Sequence, residues 1–342
     1  MRGRPLVVLA VVAGALALLA LLAVVRQRAA QPGRQFQVRQ GDRVQAVILR
    51  RDTARVVLRR KRTGWQVNGR WPARPRAMKV LEKVLREIEV KSPVSGDLAA
   101  RVLADPRARH TRVTVRGRLF PLKHFQIVRD TLLPGGNMMR LKGRKKKWYI
   151  TWLPGEEVDP ASLFVVDPYY WRDMTLFRFL PGEVYDVQVH YLGRDDGYRA
   201  GYDTLSGRVT FLPDDTALAG LPVDTARVMR YLTYFQHLEC DEYDRLLPPA
   251  QQDSLLETPP LYSLTLAACR HRSFRMRVYP LLPDDPAKSR IITDVDVARA
   301  WVEPAREWVL IRYYRIDPLF LKAEEFITPT AGKEMNLLPE NP

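Results

Sequence analysis

The stretch "GWQVNGRWPARPRAMKVLEKVLREIEVKSPV", Gly64 to Val94, changes its periodicity halfway along. Up to Val67 apolar and polar residues alternate, the two-residue period of a half-buried strand. Asn68-Gly69 then supplies a pair of residues that tolerate positive φ in a tight hairpin turn. Pro75 suits the first turn of a helix, where its missing N–H costs nothing. Met78, Leu81, Leu85 and Ile88 follow at three- and four-residue spacing, with Lys79, Glu82, Lys83 and Arg86 between them, which predicts an amphipathic helix buried along one stripe. Pro93 and Gly96 mark its end. Trp65 is expected to pack into the core of the unit, so the tryptophans and the Asn-Gly pair are folding punctuation rather than a binding site.

Outward from that stretch the pattern is strand-like on both sides. Val44, Val47 with Ile48 and Leu49, and then Val56 and Leu58, alternate between turns at Gly41-Asp42 and Asp52-Thr53. Strand patterns resume after the helix in "TRVTVRGRLFPLKHFQIV" and "NMMRLKGRKKKWYITWLPG". The second half repeats this order. "GEVYDVQVHYLG" and "YDTLSGRVTFLP" read as strands, and Asp224 caps a helix whose inner face is Val228, Tyr231, Leu232, Phe235 and Leu238. "YSLTLAACRHRSFRMRVYPLLP" and "REWVLIRYYRIDP" then return to strands. Leu238-Glu239-Cys240 falls where Ile88-Glu89-Val90 falls, and "VDPASLFVVDP" corresponds to "IDPLFLKAEEF". The predicted fold is α+β: two duplicated modules of antiparallel strands plus one helix, residues 36–165 and 177–325, preceded by an N-terminal transmembrane helix. "LLPPAQQDSLLETPP", Leu246 to Pro260, reads as a loop inserted in the second copy, and residues 326–342 as a frayed tail.

The first segment, residues 1–28, holds an unbroken apolar run from Pro5 to Val25. As a helix it spans about 30 Å, the thickness of a bilayer core. A cleaved signal peptide has an apolar core of about 7 to 15 residues with its small-x-small site in a polar region; here Ala15-Leu16-Ala17 lies inside the run. An uncleaved inner-membrane anchor is therefore expected, single-pass, with the bulk of the chain periplasmic. Arg2 and Arg4 face Arg26, Arg28 and Arg34 across the membrane, so charge alone does not fix the orientation. No cysteine follows the run, which excludes a lipoprotein anchor.

The formal charge of +17 hides a division. Residues 36 to 150 carry 30 Lys and Arg against 8 Asp and Glu, whereas residues 151 to 342 carry 20 against 30. A basic half stands next to the anchor and an acidic half beyond it. "KGRKKKWYITW" gathers Lys142, Arg144, Lys145, Lys146 and Lys147 beside Trp148, and "RRDTARVVLRRKR" adds Arg50, Arg51, Arg59, Arg60, Lys61 and Arg62. These runs read as a solvated face or, given the anchor, as a contact for anionic headgroups, Arg144 to Lys147 foremost; each cation near such a surface contributes about 1 kcal/mol. Nucleic acid is disfavoured as a partner.

Catalytic signatures are absent from the sequence. His110, His124, His190, His237 and His271 form no metal-binding spacing and neighbour no nucleophile motif, and "PGGN", Pro134 to Asn137, is a turn without the lysine and helix of a phosphate loop. Asp195-Asp196, Asp214-Asp215 and Asp284-Asp285 read as turn chemistry. No metal and no cofactor is expected. Cys240 and Cys269 lie in apolar surroundings and read as buried small residues or one long-range disulfide.

The strings "GWQVNGRWPARPRAMKVLEKVLREIEVKSPV" and "FVVDPYYWRDMTLFRFLPGEVYDVQVHY" resemble the two best-marked segments of domain-of-unknown-function family 4340, in its Bacteroidetes-type members. There a W-x-V-N-G turn leads to a helix ending in I-x-V-K-S-P-V, and a D-x-x-W-R-D string opens a second module. Here that string runs from Asp167 to Asp173 with one extra residue before Trp171. The chain departs from the family at "DTLLPGGNMMRL", where relatives carry a longer polar turn. The resemblance implies a membrane-anchored envelope protein without an assigned activity, associated in some relatives with ABC-type transport or gliding systems. It carries over no catalytic residue; Trp171, Arg172 and Asp173 are the matched positions, with a domain-junction anchor as their simplest role.

The expected function is a binding or scaffolding accessory in the envelope, not an enzyme, with the inner membrane and an envelope protein as partners and the oligomeric state open. Two alternatives stand beside it: an envelope hydrolase using Asp241, Glu242 and Asp244, and an anionic-lipid or polyanion binder through the basic module.

Overall fold

The computed structural model describes residues 33 to 328 except 132, 134, 144 to 146, 204 and 282 to 293, together with Gly14, Leu16 and Leu19. The anchor expected over residues 1–28 lies outside the described residues apart from those three, which are helical. Among the described residues no helix is long and apolar enough to cross a membrane. The chain divides into two units, the first ending at Asp173 and the second beginning at Met174.

In the first unit, apolar alternation produces the strands β1 (Ala46–Arg51), β2 (Ala54–Lys61), β3 (Gly64–Val67) and β4 (Trp71–Pro72). Asp52, in the two-residue turn between β1 and β2, and Asn68 and Gly69, in the three-residue turn between β3 and β4, take positive φ. Helix α1 (Pro75–Glu87) and β5 (Glu89–Pro93) follow, then helix α2 (Gly96–Ala104), and β6 (Arg109–Arg116), β7 (Pro121–Arg129), β8 (Asn137–Leu141) and β9 (Tyr149–Trp152). The nine strands form one antiparallel sheet in the order β4-β3-β2-β1-β6-β7-β8-β9-β5. Met78, Leu81, Val84 and Leu85 on α1 pack on the inward residues of that sheet, among them Val47, Leu49, Leu58, Val113 and Phe125. Each such side chain contributes about 1.5 to 3 kcal/mol on leaving water. Trp65 is half-buried rather than central: it lies against this core and donates its indole N–H to Glu82 at 3.1 Å, while Arg60 stacks on its ring and pairs with the same carboxylate.

In the second unit β10 (Thr175–Arg178) pairs with β14 (His237–Glu239). The large sheet comprises β11 (Val184–Tyr191), β12 (Arg194–Asp203), β13 (Arg208–Pro213), β15 (Glu242–Tyr243), β16 (Tyr262–Ala268), β17 (Arg272–Pro280), β18 (Val297–Glu303) and β19 (Glu307–Arg312). Its order is β13-β12-β11-β16-β17-β18-β19-β15. Helix α3 (Thr225–Leu232) is capped by Asp224, whose side chain accepts from the N–H of Arg227 at 2.9 Å, and helix α4 (Pro249–Glu257) precedes β16.

The two large sheets share their order strand for strand once β4 is set aside, and their registers match. Leu49 opposes Val56 and Val113 in the first, as Val189 opposes Tyr198 and Leu264 in the second. The chain ends also close alike. Arg74 N–H donates to Trp171 O and Asp173 N–H to Pro72 O; Asp224 N–H donates to Phe326 O and Thr328 N–H to Pro222 O. Ala73 bridges Arg172, and Val223 bridges Ile327.

This geometry corrects three expectations. Trp171, Arg172 and Asp173 do not open the second module: they close the first, with Trp171 fully buried, its indole donating to Val165 O at 2.8 Å, and Arg172 over the Trp71 ring. Phe326 and Ile327 are not frayed, because Phe326 fills the corresponding position among Tyr198, Phe211 and Tyr231. Among the described residues each unit has two α-helices of eight or more residues rather than one, besides a single-turn helix near its end. Ser95 caps α2 by accepting from Leu98 N–H, and the supposed inserted loop contains α4 at the same point in the strand order. Cys240 is buried against Met174, Cys269 is partly exposed, and the two are not joined in a disulfide.

Candidate functional site

One face of the first sheet carries α1; on the other, α2 covers the end formed by Val128, Met138 and Trp148, and the remainder is open and built from the alternate residues. Its central row runs across five strands through registered partners, Arg55, Arg50, Arg112, Gln126 and Arg140 on β2, β1, β6, β7 and β8. Three arginines therefore stand side by side on strands about 4.8 Å apart, an arrangement that repulsion disfavours. Four residues along β1, Arg59, Ala46 and Arg116 form a second row. Val57, Ile48 and Thr114 lie between the two rows, followed on β7 by His124.

Two depressions lie on this face. The first, of 490 Å³, is lined by Arg50, Arg112, Thr114, His124, Gln126, Arg140 and Lys142; the second, of 790 Å³, by Arg43, Arg55, Arg59, Lys61, Arg62, Arg116 and Arg118 among others. No carboxylate lines either one among the described residues. Arg50, Arg55, Arg59, Arg112, Arg116 and Lys142 are exposed and make no ion pair among the described residues. Arg140 is held in place by Gln126 at 2.8 Å and by the Trp148 ring. The field is felt at His124, whose imidazole is held below its ordinary pKa by burial first and then by Lys142, Arg112 and Arg50.

The structure divides the basic residues singled out in the sequence. Arg50, Arg59 and Lys61 belong to the open face. Arg51 and Arg60 point the other way, Arg51 to the Thr111 hydroxyl at 3.0 Å and Arg60 to Glu82. Lys147 is exposed, whereas Arg144, Lys145 and Lys146 lie outside the described residues. Arg112, His124, Gln126 and Arg140 were missed, because they join the site only through strand register. The available signal was the alternation of cations in Arg112, Thr114 and Arg116 opposite Arg50.

The second unit supplies an internal comparison. On its equivalent face Arg50 is replaced by His190, Arg112 by Ser263 and Arg55 by Gly197, as the matched registers show. Most cations there are paired: Arg199 with Asp186 at 2.7 Å, His190 with Asp214 at 3.1 Å, and Arg275 and Arg277 with Glu303 at 3.7 and 3.8 Å; Arg208, opposite Asp203 at the β12–β13 turn, makes no ion pair among the described residues. The same strand order therefore folds without a row of unpaired arginines across this surface.

The carboxylates of the hydrolase alternative are engaged structurally. Asp244 accepts from Arg299 at 2.6 Å, Asp241 accepts from the Arg312 N–H at 2.9 Å and faces Arg315 at 3.3 Å, and Glu242 is exposed on the edge strand β15. Of the acidic doublets, Asp214 holds His190 and Asp215 caps Ala217 N–H, while Asp284-Asp285 lie outside the described residues. Among the described residues no three His, Cys, Asp or Glu side chains converge as a metal site. Comparison with protein-family models, with curated proteins and with solved structures finds no match to this chain, so the resemblance to family 4340 rests on its motif strings alone.

Proposed function

We propose that this chain is a membrane-tethered binding or scaffolding protein of the bacterial envelope, without catalytic activity, whose first unit engages anionic groups through the open face of its sheet. The tether is the apolar run from Pro5 to Val25, with both units on the periplasmic side. The two units arose by duplication of one module, which accounts for their common strand order and closing contacts. The observation that carries the binding role is the difference between the two faces: one scaffold neutralises its charges within the sheet, and the other leaves a row of arginines bare. Phospholipid headgroups are the anions nearest an anchored chain, and each cation close to them contributes about 1 kcal/mol. The resemblance adds a protein partner from an ABC-type transport or gliding system.

Three measurements test these parts separately. Carbonate washing of native membranes should leave the protein in the pellet; its release would remove the tether. A reporter fused after Pro342 should be active in the periplasm, and activity confined to the cytoplasm would reverse the orientation. Crosslinking in native membranes should recover a transport or gliding component in stoichiometric amount, and recovery of the chain alone would remove that partner.

A further inference from the structure

We propose that the 490 Å³ depression on the open face of the first sheet is a built site for a group carrying two or more phosphates. This rests on the reading of that face as anion-binding and adds a location and a ligand class. Arg50 and Arg112 are direct register partners, and Arg140 lies two strands beyond Arg112, so the cationic wall extends about 14 Å across the strands. A single phosphate engages one part of that wall, whereas two or more linked phosphates engage more of its guanidinium groups at once. Guanidinium forks match phosphate oxygens with paired hydrogen bonds, which a lysine-lined surface does not offer.

Three further features favour a discrete site over general attraction to a flat surface. The depression is concave and falls in the size range of small-ligand pockets, about 300 to 1,000 Å³. Gln126 accepts from Arg140, and the Trp148 ring stacks on its guanidinium, so that cation is oriented before any ligand arrives. Thr114 and His124 add uncharged donors or acceptors between the arginines. The second unit has His190 and Ser263 at the positions of Arg50 and Arg112, and His190 there is already bound to Asp214.

The ligand can come from two sources, a phospholipid headgroup with two phosphates or a free oligophosphate. The full-length chain in phosphatidylcholine nanodiscs should be titrated with tripolyphosphate and, separately, with inorganic phosphate, following heat of binding and the His124 ring by NMR. Tripolyphosphate should bind at least about tenfold tighter than inorganic phosphate and raise the His124 pKa as it offsets Arg50 and Arg112. Arg50→Gln with Arg112→Gln should weaken it about a hundredfold, tenfold for each guanidinium replaced. This variant removes like-charge repulsion, so unfolding is not the expected cause. Arg275→Gln with Arg277→Gln should leave binding unchanged.

Equal affinity for the two anions, or wild-type affinity in the Arg50/Arg112 variant, would overturn the site. Vesicles of phosphatidylcholine with cardiolipin provide the second arm. Vesicle binding that tripolyphosphate displaces identifies a headgroup, and tripolyphosphate binding that vesicles do not displace identifies a free oligophosphate. Vesicle binding without any tripolyphosphate binding would remove the site while leaving the anionic-surface reading; loss of both would remove both.

Discussion

Asn137 is fully buried between β8 and β9 with both ends of its amide engaged. Its nitrogen donates to Gly135 O, Thr151 O and the Asp159 carboxylate, and its oxygen accepts from the Thr151 hydroxyl at 2.6 Å. Asp159 in turn caps the N–H of Ala161 and pairs with Arg129 at 3.0 Å. The "PGGN" turn thus has a structural purpose: Gly135 and Gly136 take φ values of 85° and 74°, which bring the asparagine inward. Asn137→Ala removes a partner from Thr151 O and from the Asp159 carboxylate and leaves the buried Thr151 hydroxyl only the Met139 sulfur, and should cost about 2 to 4 kcal/mol, read as reduced hydrogen-exchange protection in β8 and β9. Protection equal to that of the parent would show that the network does not stabilise the sheet. His124 offers a second residue-scale test. Its folded pKa lies below the ordinary value near 6.5, so the unfolded chain binds the proton more readily. Stability of the first unit should therefore be full above about pH 6.5 and fall as pH drops towards the folded pKa, and His124→Gln should flatten that slope.

At the scale of elements, the closing segments explain why both units end where they do. Trp171 and Phe326 occupy equivalent positions, each accepting from the residue just before its helix, Arg74 or Asp224. Trp171→Ala should destabilise the first unit by about 3 to 5 kcal/mol and Phe326→Ala the second by a similar amount. Limited proteolysis should show each change opening its own unit; a variant cut no faster than the parent would contradict the closing role. Helices α1 and α3 were legible because their apolar stripes share one spacing, although α3 ends at Leu232 and Leu238, expected on its inner face, lies on β14. Met78, Leu81, Leu85 and Ile88 match Val228, Tyr231, Phe235 and Leu238 at a constant offset. Helix α2 was hidden because Pro93 and Gly96 read as breakers, although Ser95 caps the helix that Gly96 begins. Helix α4 was hidden because it buries none of its residues and so shows no apolar stripe. The arginine row was illegible for another reason. Arg50 and Arg112 meet only through the β1–β6 register, and no local pattern states which residues of distant strands oppose each other.

Across the whole molecule, the charge division visible in the sequence takes on structural meaning. The excess of cations in residues 36 to 150 is partly concentrated on one open face, and the carboxylates of the second half neutralise the equivalent face. Two sheets of like strand order, of which only the first carries a row of unpaired arginines, point to binding by the first unit. Sedimentation of residues 33 to 342 with phosphatidylglycerol vesicles tests this most directly. Arg50, Arg55 and Arg112 changed together to Gln are compared with Arg199, Arg275 and Arg277 changed together to Gln. Binding should be strong at about 50 mM salt, fall steeply by about 500 mM, vanish in the first variant and persist in the second. Binding that ignores salt, or that the first variant retains, would contradict a binding role for the first unit's open face.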